Sequence, residues 1–392
     1  MVPAMFQSII TYDLSRYWPD FQLVAYAIYD GESVCLFNHP AYPEASSICL
    51  PWSEAFVGNT LILFQGHPTA IVQKDSCPDE ASLYAVLIHE LFHGHQYLMG
   101  ESRFPDEIKG VTYPLLADNA ERRNRERWHL YHAVMETDHI SREEHLRQFI
   151  LQREAGAASM ADFIAYELLT ETVEGPAWYV ELKAFADQSG ITLTDVILQY
   201  GEALLDPEES VRHLRRSCYS SGLFICLLLD RLCADWKKQF QETDQSLYSF
   251  FRQFVDVEES NLDAVPVTEE TVNILERVQE ERAAAFATVE QEAPVVVTIN
   301  GTIRVTGIDP MNITGGDQMA LHRNFLRVLI REQEYLIQHP VIAKYTNHLF
   351  DCHQLKVILN EPPEIVEQGI LIKDVGELAG QFDEKSFTLS IE

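Results

Sequence analysis

Basic residues are in short supply in this chain. Its 29 lysines and arginines stand against 60 aspartates and glutamates, a net charge of −31 at pH 7. So acidic a surface repels phosphate backbones, which sets nucleic acid aside as a partner and leaves basic or neutral ones such as peptides. Cysteine is scarce too: there are seven, an odd number, and no CxxC pair. A disulfide framework is not expected, and reduced thiols in a cytoplasmic setting fit better. The longest apolar run in the second half is 223–229, far short of the roughly 20 residues that cross a bilayer. The start, MVPAMFQSII, lacks the basic opening and apolar core of a signal peptide. No membrane association is expected. Nor is there a GxxxxGK[ST] loop, a GxGxxG turn or a GxSxG elbow, so nucleotide binding and serine-hydrolase chemistry find no support.

What is present is an ordinary globular composition, 46% hydrophobic and 23% charged over 392 residues, long enough for two or three domains. The pattern predicts an α+β protein. Residues 1–78 read as a strand-rich part of the catalytic unit. VAYAIYD and SVCLFN flank Gly31-Glu32, and TLILF and TAIVQ flank a turn at Gln65-Gly66-His67-Pro68. Residues 79–290 carry apolar positions at helical spacing in segments such as 79–98, 117–136, 141–155, 158–188, 191–204, 217–239 and 268–289. After a linker around 290–294 the sequence turns β-branched. VVVTI and TIRV around Asn300-Gly301 predict a hairpin, opening a small β-rich domain over 294–392 with further strands at 325–330, 355–359 and 369–373.

The chemistry concentrates in LYAVLIHELFHGHQ, residues 83–96. His89, Glu90 and His93 form an HExxH sequence. On a helix, positions four apart share a face, so both imidazoles can meet one zinc ion while Glu90 stands beside its water. Leu83, Leu87, Ile88, Leu91 and Phe92 surround them, which predicts a buried helix whose polar groups need partners. A catalytic zinc takes a third protein ligand and leaves a position for water. The position six residues after His93 is Met99, which rules out a third histidine there, and His95 lies off the ligand face. The better source is YELLTETVEGPAWYVE, residues 166–181. There Glu167, Glu171 and Glu174 line one helix face beside apolar neighbours.

These motifs resemble the gluzincin metallopeptidases, which pair HExxH with a glutamate on a later helix. In their aminopeptidase branch that glutamate opens an EGxAxY motif, and Glu174-Gly175-Pro176-Ala177-Trp178-Tyr179 is similar to it. The resemblance implies one Zn²⁺ per chain held by His89, His93 and Glu174, with Glu90 as general base. Glu171 would sit behind the ligands and orient a histidine or the site, with Glu167 in a similar part. Tyr219-Ser220-Ser221-Gly222 matches the branch's YxxG sequence and implies an oxyanion donor in Tyr219. The resemblance spans about 60–235. The branch's GxMEN motif is absent, and a long helical insert separates His93 from Glu174. The implied activity is zinc-dependent hydrolysis of a peptide or protein substrate, exo- or endopeptidase undecided, with TAIVQ (69–73) as the strand that pairs with the substrate. An aminopeptidase would need a carboxylate for the substrate amine, and Glu44, Glu54 and Glu171 are available. The alternative is a zinc-keeping peptide-binding or regulatory module, which would have no use for Glu90. His129 and His132, three apart, read as surface or half-buried polar residues. Arg122, Arg123 and Arg125 are a solvated face or partners for the acidic helix at 167–174.

Overall fold

The structure, a computed structural model, describes residues 4–161, 163–257, 266–316, 318–346 and 348–391. It is α+β, with a strand-rich start, a helical centre and a β-rich end. The chain divides into two compact units, Met1–Pro105 with Asp118–Pro266, and Asp106–Ala117 with Val267–Glu392.

In the first unit a one-turn helix α1 (Ala4–Ser8) precedes β1 (Ala25–Tyr29), β2 (Ser33–Phe37), β3 (Ser47–Pro51), β4 (Thr60–Phe64) and β5 (His67–Gln73). They form one sheet in the order β3-β2-β1-β5-β4. β1 and β5 run parallel and the other neighbours antiparallel. Both expected turns are made. Asp30 N–H donates to the Ser33 carbonyl around Gly31-Glu32. Gln65 and Gly66, at φ 47° and 80°, make the two-residue turn of the β4–β5 hairpin. β5 lies between β1 and β4, so the sheet edge on this side is β4, not the 69–73 segment expected to meet a substrate.

α2 (Glu80–Leu98) begins where the Asp79 side chain accepts from Ser82 N–H, satisfying one of the free donors of the first turn. Val24 presses against it at Gly94, where a Cβ would stand 2.3 Å from the valine Cγ2. Short α3 (Glu107–Val111) groups with the second unit. Then come α4 (Ala117–Met135), α5 (His139–Ser159), α6 (Ile164–Ser189), α7 (Leu193–Leu205), α8 (Glu209–Arg212), α9 (Leu214–Leu232), α10 (Trp236–Gln241) and α11 (Leu247–Arg252). The expected 217–239 helix is two helices, because Cys233 is extended and ends α9. One apolar cluster joins β1 to α2, α4, α5, α6 and α9, and a smaller one, around Ala27, Val34 and Phe56, covers a further part of the sheet.

α6 and α9 touch backbone to backbone. A Cβ on Gly175 would lie 2.6 Å from the Gly222 Cα, and one on Gly222 would lie 2.8 Å from the Glu171 carbonyl oxygen. Only glycine permits that approach. The same four-helix region buries an ionic lattice. Arg153, 2% exposed, bonds both Glu126 and Glu171; Arg123 pairs with Glu167 and donates to Ser217. Of the two readings open for Arg123, a solvated face or a partner for the acidic helix, the second is the one formed.

The second unit contains α12 (Glu269–Glu292) and a β-rich region of a nine-stranded and a three-stranded sheet. The helix expected to end the catalytic region therefore belongs to this unit, and β6 (Val295–Ile308) follows it after two residues. The Asn300-Gly301 hairpin does not form. β6 runs straight through it, antiparallel to Asp351–Leu359 with a register shift between Cys352 and Gln354. On its other side Ser390 pairs in parallel with Asn300. Gly301 is needed for close approach: at φ +150° its Cβ would lie 2.4 Å from the Ile391 carbonyl oxygen.

Candidate metal centre

His89 and His93 are one turn apart on α2, and Glu174 faces them from α6. The two Nε2 atoms are 3.0 Å apart. Glu174 Oε2 lies 3.5 Å from that of His89 and 3.2 Å from that of His93. The outer face of each ring is fixed. His89 Nδ1 is 2.8 Å from Glu181 Oε2, and the other Glu181 oxygen accepts from Tyr200 Oη at 2.8 Å. His93 Nδ1 is 2.7 Å from Gln96 Oε1. Gln96 Nε2 donates to the Val173 carbonyl at 2.8 Å, which sets the orientation of the amide. Both Nδ1 atoms face acceptors and hold a proton, so each ring, when neutral, turns its Nε2 lone pair toward Glu174. Three lone-pair donors thus converge in a buried spot, and Glu174 Oε2 has no hydrogen-bond donor among the described residues. A buried group left so is costly unless a cation serves it. The donor atoms lie within 4.8 Å of one another and could hold one metal ion.

The surrounding charges agree with a cation site. Burial opposes charge on Glu174, yet His93, His89 and Arg215 outweigh it and hold the carboxyl well below its ordinary range. Burial opposes charge on His89 and His93 as well, but without an ion the neighbouring carboxylates win and raise both, so a metal ion entering here would displace the protons those carboxylates hold on the rings. Glu90 is 7% exposed. Burial pushes its carboxyl up, against the pull of His89 and His93.

Of the three glutamates on the α6 stripe, the structure brings only Glu174 to the imidazoles. Glu171 bonds Arg153 and accepts from Ser221, and Glu167 pairs with Arg123. The carboxylate that orients His89 is Glu181, not Glu171 or Glu167. Tyr219 is brought to the site. Its ring stacks on His89 with centroids 6.2 Å apart, and Arg215 Nε–H donates to its hydroxyl at 3.2 Å. Arg215 also donates to Glu174 Oε1 at 2.9 Å. His95 is not at the centre: it accepts from Gln22 N–H and burial lowers it to about 4.

Glu181, Gln96 and Arg215 were not singled out by sequence. Each had a spacing signal. Glu181 is two helical turns beyond Glu174, Gln96 one turn beyond His93, and Arg215 one turn before Tyr219. His129 and His132 are half-buried beside His145, where His129 Nδ1 lies 3.0 Å from His145 Nδ1. Among the described residues these three do not form a group that could hold one metal ion.

No family model, curated protein or solved structure matches the chain. No helix among the described residues is long and apolar enough to cross a membrane.

Proposed function

We propose that the protein is a zinc peptidase whose metal is held by His89, His93 and Glu174. The observation that carries this reading is the donor triangle with Glu90 beside it. Donors set tetrahedrally at about 2.0–2.1 Å from an ion lie about 3.3–3.4 Å apart. The three edges here are 3.0, 3.2 and 3.5 Å. Two imidazoles and one carboxylate suit zinc better than calcium or magnesium, which take oxygen ligands. The likeness of 174–179 to EGxAxY and of 219–222 to YxxG supports the gluzincin type.

Zinc, when bound, supplies a Lewis acid that acidifies water and polarises a carbonyl. The chain's own groups do the rest. Glu90 takes a proton from the attacking water and returns it to the leaving amine. Among the described residues its carboxylate accepts no hydrogen bond, so it is free for that shuttle. Tyr219 donates to the tetrahedral oxyanion, a contact worth on the order of 10²–10³ in rate. Because Arg215 donates to the Tyr219 oxygen, the hydroxyl hydrogen is left for the substrate. Arg215 also occupies Glu174 Oε1 and so leaves Oε2 for the ion.

The substrate reads as an extended peptide on the outer edge of β4. Phe64↔His67 closes the two-residue hairpin and Leu63 lies opposite Pro68, which has no N–H to give. Leu61 and Leu63 therefore aim their backbone groups away from β5. Among the described residues no strand pairs that edge, and Leu63 is 60% exposed. An added strand would find donors and acceptors there.

The test is hydrolysis of a quenched peptide library by the zinc-loaded protein and by Glu90→Gln. Cleavage that a chelator stops, zinc restores and Glu90→Gln lacks is expected. A zinc-loaded wild type that binds peptides without cleaving any would turn the reading toward a peptide-binding module.

A further inference from the structure

We propose that Cys35 and Cys49 form a reversible disulfide site that clamps the outer strand β3 onto β2. The two residues are fourteen positions apart and their sulfurs are 3.4 Å from each other. They sit directly opposite one another in the antiparallel β2–β3 ladder. Where along the ladder they fall matters. Asn38 N–H donates to Ser46 and Trp52 N–H to Glu32, so the even positions of β2 make the hydrogen-bonded pairs. Cys35 and Cys49 are thus a pair without hydrogen bonds between them. There the Cα atoms come to about 4.5 Å, inside the span that a disulfide bridges. All seven cysteines of the chain are free thiols. Facing each other across the ladder with sulfurs 3.4 Å apart, Cys35 and Cys49 are placed to bond.

The two thiols differ in access. Cys49 is exposed, whereas Cys35 is partly buried against the core that contains α2. Burial, then the contact with Cys49, pushes the Cys35 thiol up to about 11. First attack therefore falls to Cys49. Its thiolate displaces one thiolate from oxidised glutathione, giving a mixed disulfide. Cys35 then gives up its proton and displaces the second glutathione thiolate from Cys49. Two protein thiols lose two protons and two electrons, and one oxidised glutathione becomes two reduced ones. β3 is an outer strand, tied to the sheet along one side only among the described residues. The bridge would tie its middle to β2, while the metal centre on α2 and α6 contains neither cysteine.

The experiment incubates the full chain in glutathione buffers of rising oxidation, quenches with acid and maps the peptides. The expected product is a Cys35–Cys49 link with a mass loss of about 2 Da, reversed by dithiothreitol. It should raise the thermal midpoint by several degrees in the wild type and not in Cys49→Ser. Peptide mapping of the wild type needs no variant, so a poorly folding mutant does not blunt the test. Glutathione held on Cys49 with no bridge, or no change in excess oxidised glutathione, would overturn the proposal. So would a bridge that leaves the thermal midpoint where it was. None of these results depends on the peptidase reading.

Discussion

Replacing Glu181 separates the role of the carboxylate behind His89 from the roles of its neighbours on the same stripe. In Glu181→Ala the His89 Nδ1 proton loses its acceptor at 2.8 Å, and Tyr200 Oη loses its own. Partners of this kind orient a ligating imidazole and raise its basicity, and their loss costs about 10–100-fold in metal affinity. That corresponds to about 1.4–2.8 kcal/mol. Glu181→Gln keeps an oxygen to accept from Nδ1 and should lose less. Glu171→Gln should behave differently: it weakens a buried pair with Arg153 and should lower thermal stability more than metal affinity. The assay is competition for zinc against a chromophoric chelator, with thermal unfolding of each metal-free variant alongside. Equal zinc affinities for Glu181→Ala and wild type would refute the reasoning, as would a larger affinity loss in Glu171→Gln.

Other outcomes follow from the same contacts. Gly222→Ala places a methyl 2.7 Å from the Gly175 Cα, and should cost about 1–3 kcal/mol by overpacking, read by denaturant unfolding. It should also lower turnover more than zinc content, because it pushes Tyr219 and Arg215 on α9 away from Glu174 on α6. Arg153→Met leaves Glu126 and Glu171 buried without their shared partner, and should destabilise by about 3–5 kcal/mol, again by denaturant unfolding. Leu63→Pro removes an outward N–H from β4 without removing a bond to β5. Steady-state kinetics should show KM rising for every peptide, with zinc content unchanged; an unchanged KM would take the substrate off that edge.

Much of the centre was legible because α2 needs only its own periodicity. HExxH on an apolar helix fixes which two imidazoles share a face before any partner is known. The third donor was harder. Glu167, Glu171, Glu174 and Glu181 all fall on one stripe of α6, so spacing alone does not choose among them. The choice is made by where α2 crosses. Seven residues of helix span about 10 Å, enough to carry Glu167 to Arg123 while Glu174 meets the imidazoles. Glu181 has the same seven-residue offset on the other side and reaches the back of His89. The glycines of the two short motifs have a plain reason, since Gly175 and Gly222 are where α6 and α9 touch. The Asn-Gly signal failed for the opposite cause. Its glycine serves a close approach by the last strand, a contact with residues some ninety positions away that no local pattern reports. TAIVQ differs from expectation for a local reason. Its sequence marks a strand, but β4 rather than β5 stands at the edge because the hairpin folds outward.

The most direct test of the central claim is zinc content by elemental analysis of the wild type, Glu174→Ala and Glu90→Gln. The expected result is about one zinc per chain in the wild type and in Glu90→Gln, and a weakened, readily chelated site in Glu174→Ala. No zinc in the wild type after it is supplied, or equal retention in Glu174→Ala, would contradict a centre built on His89, His93 and Glu174.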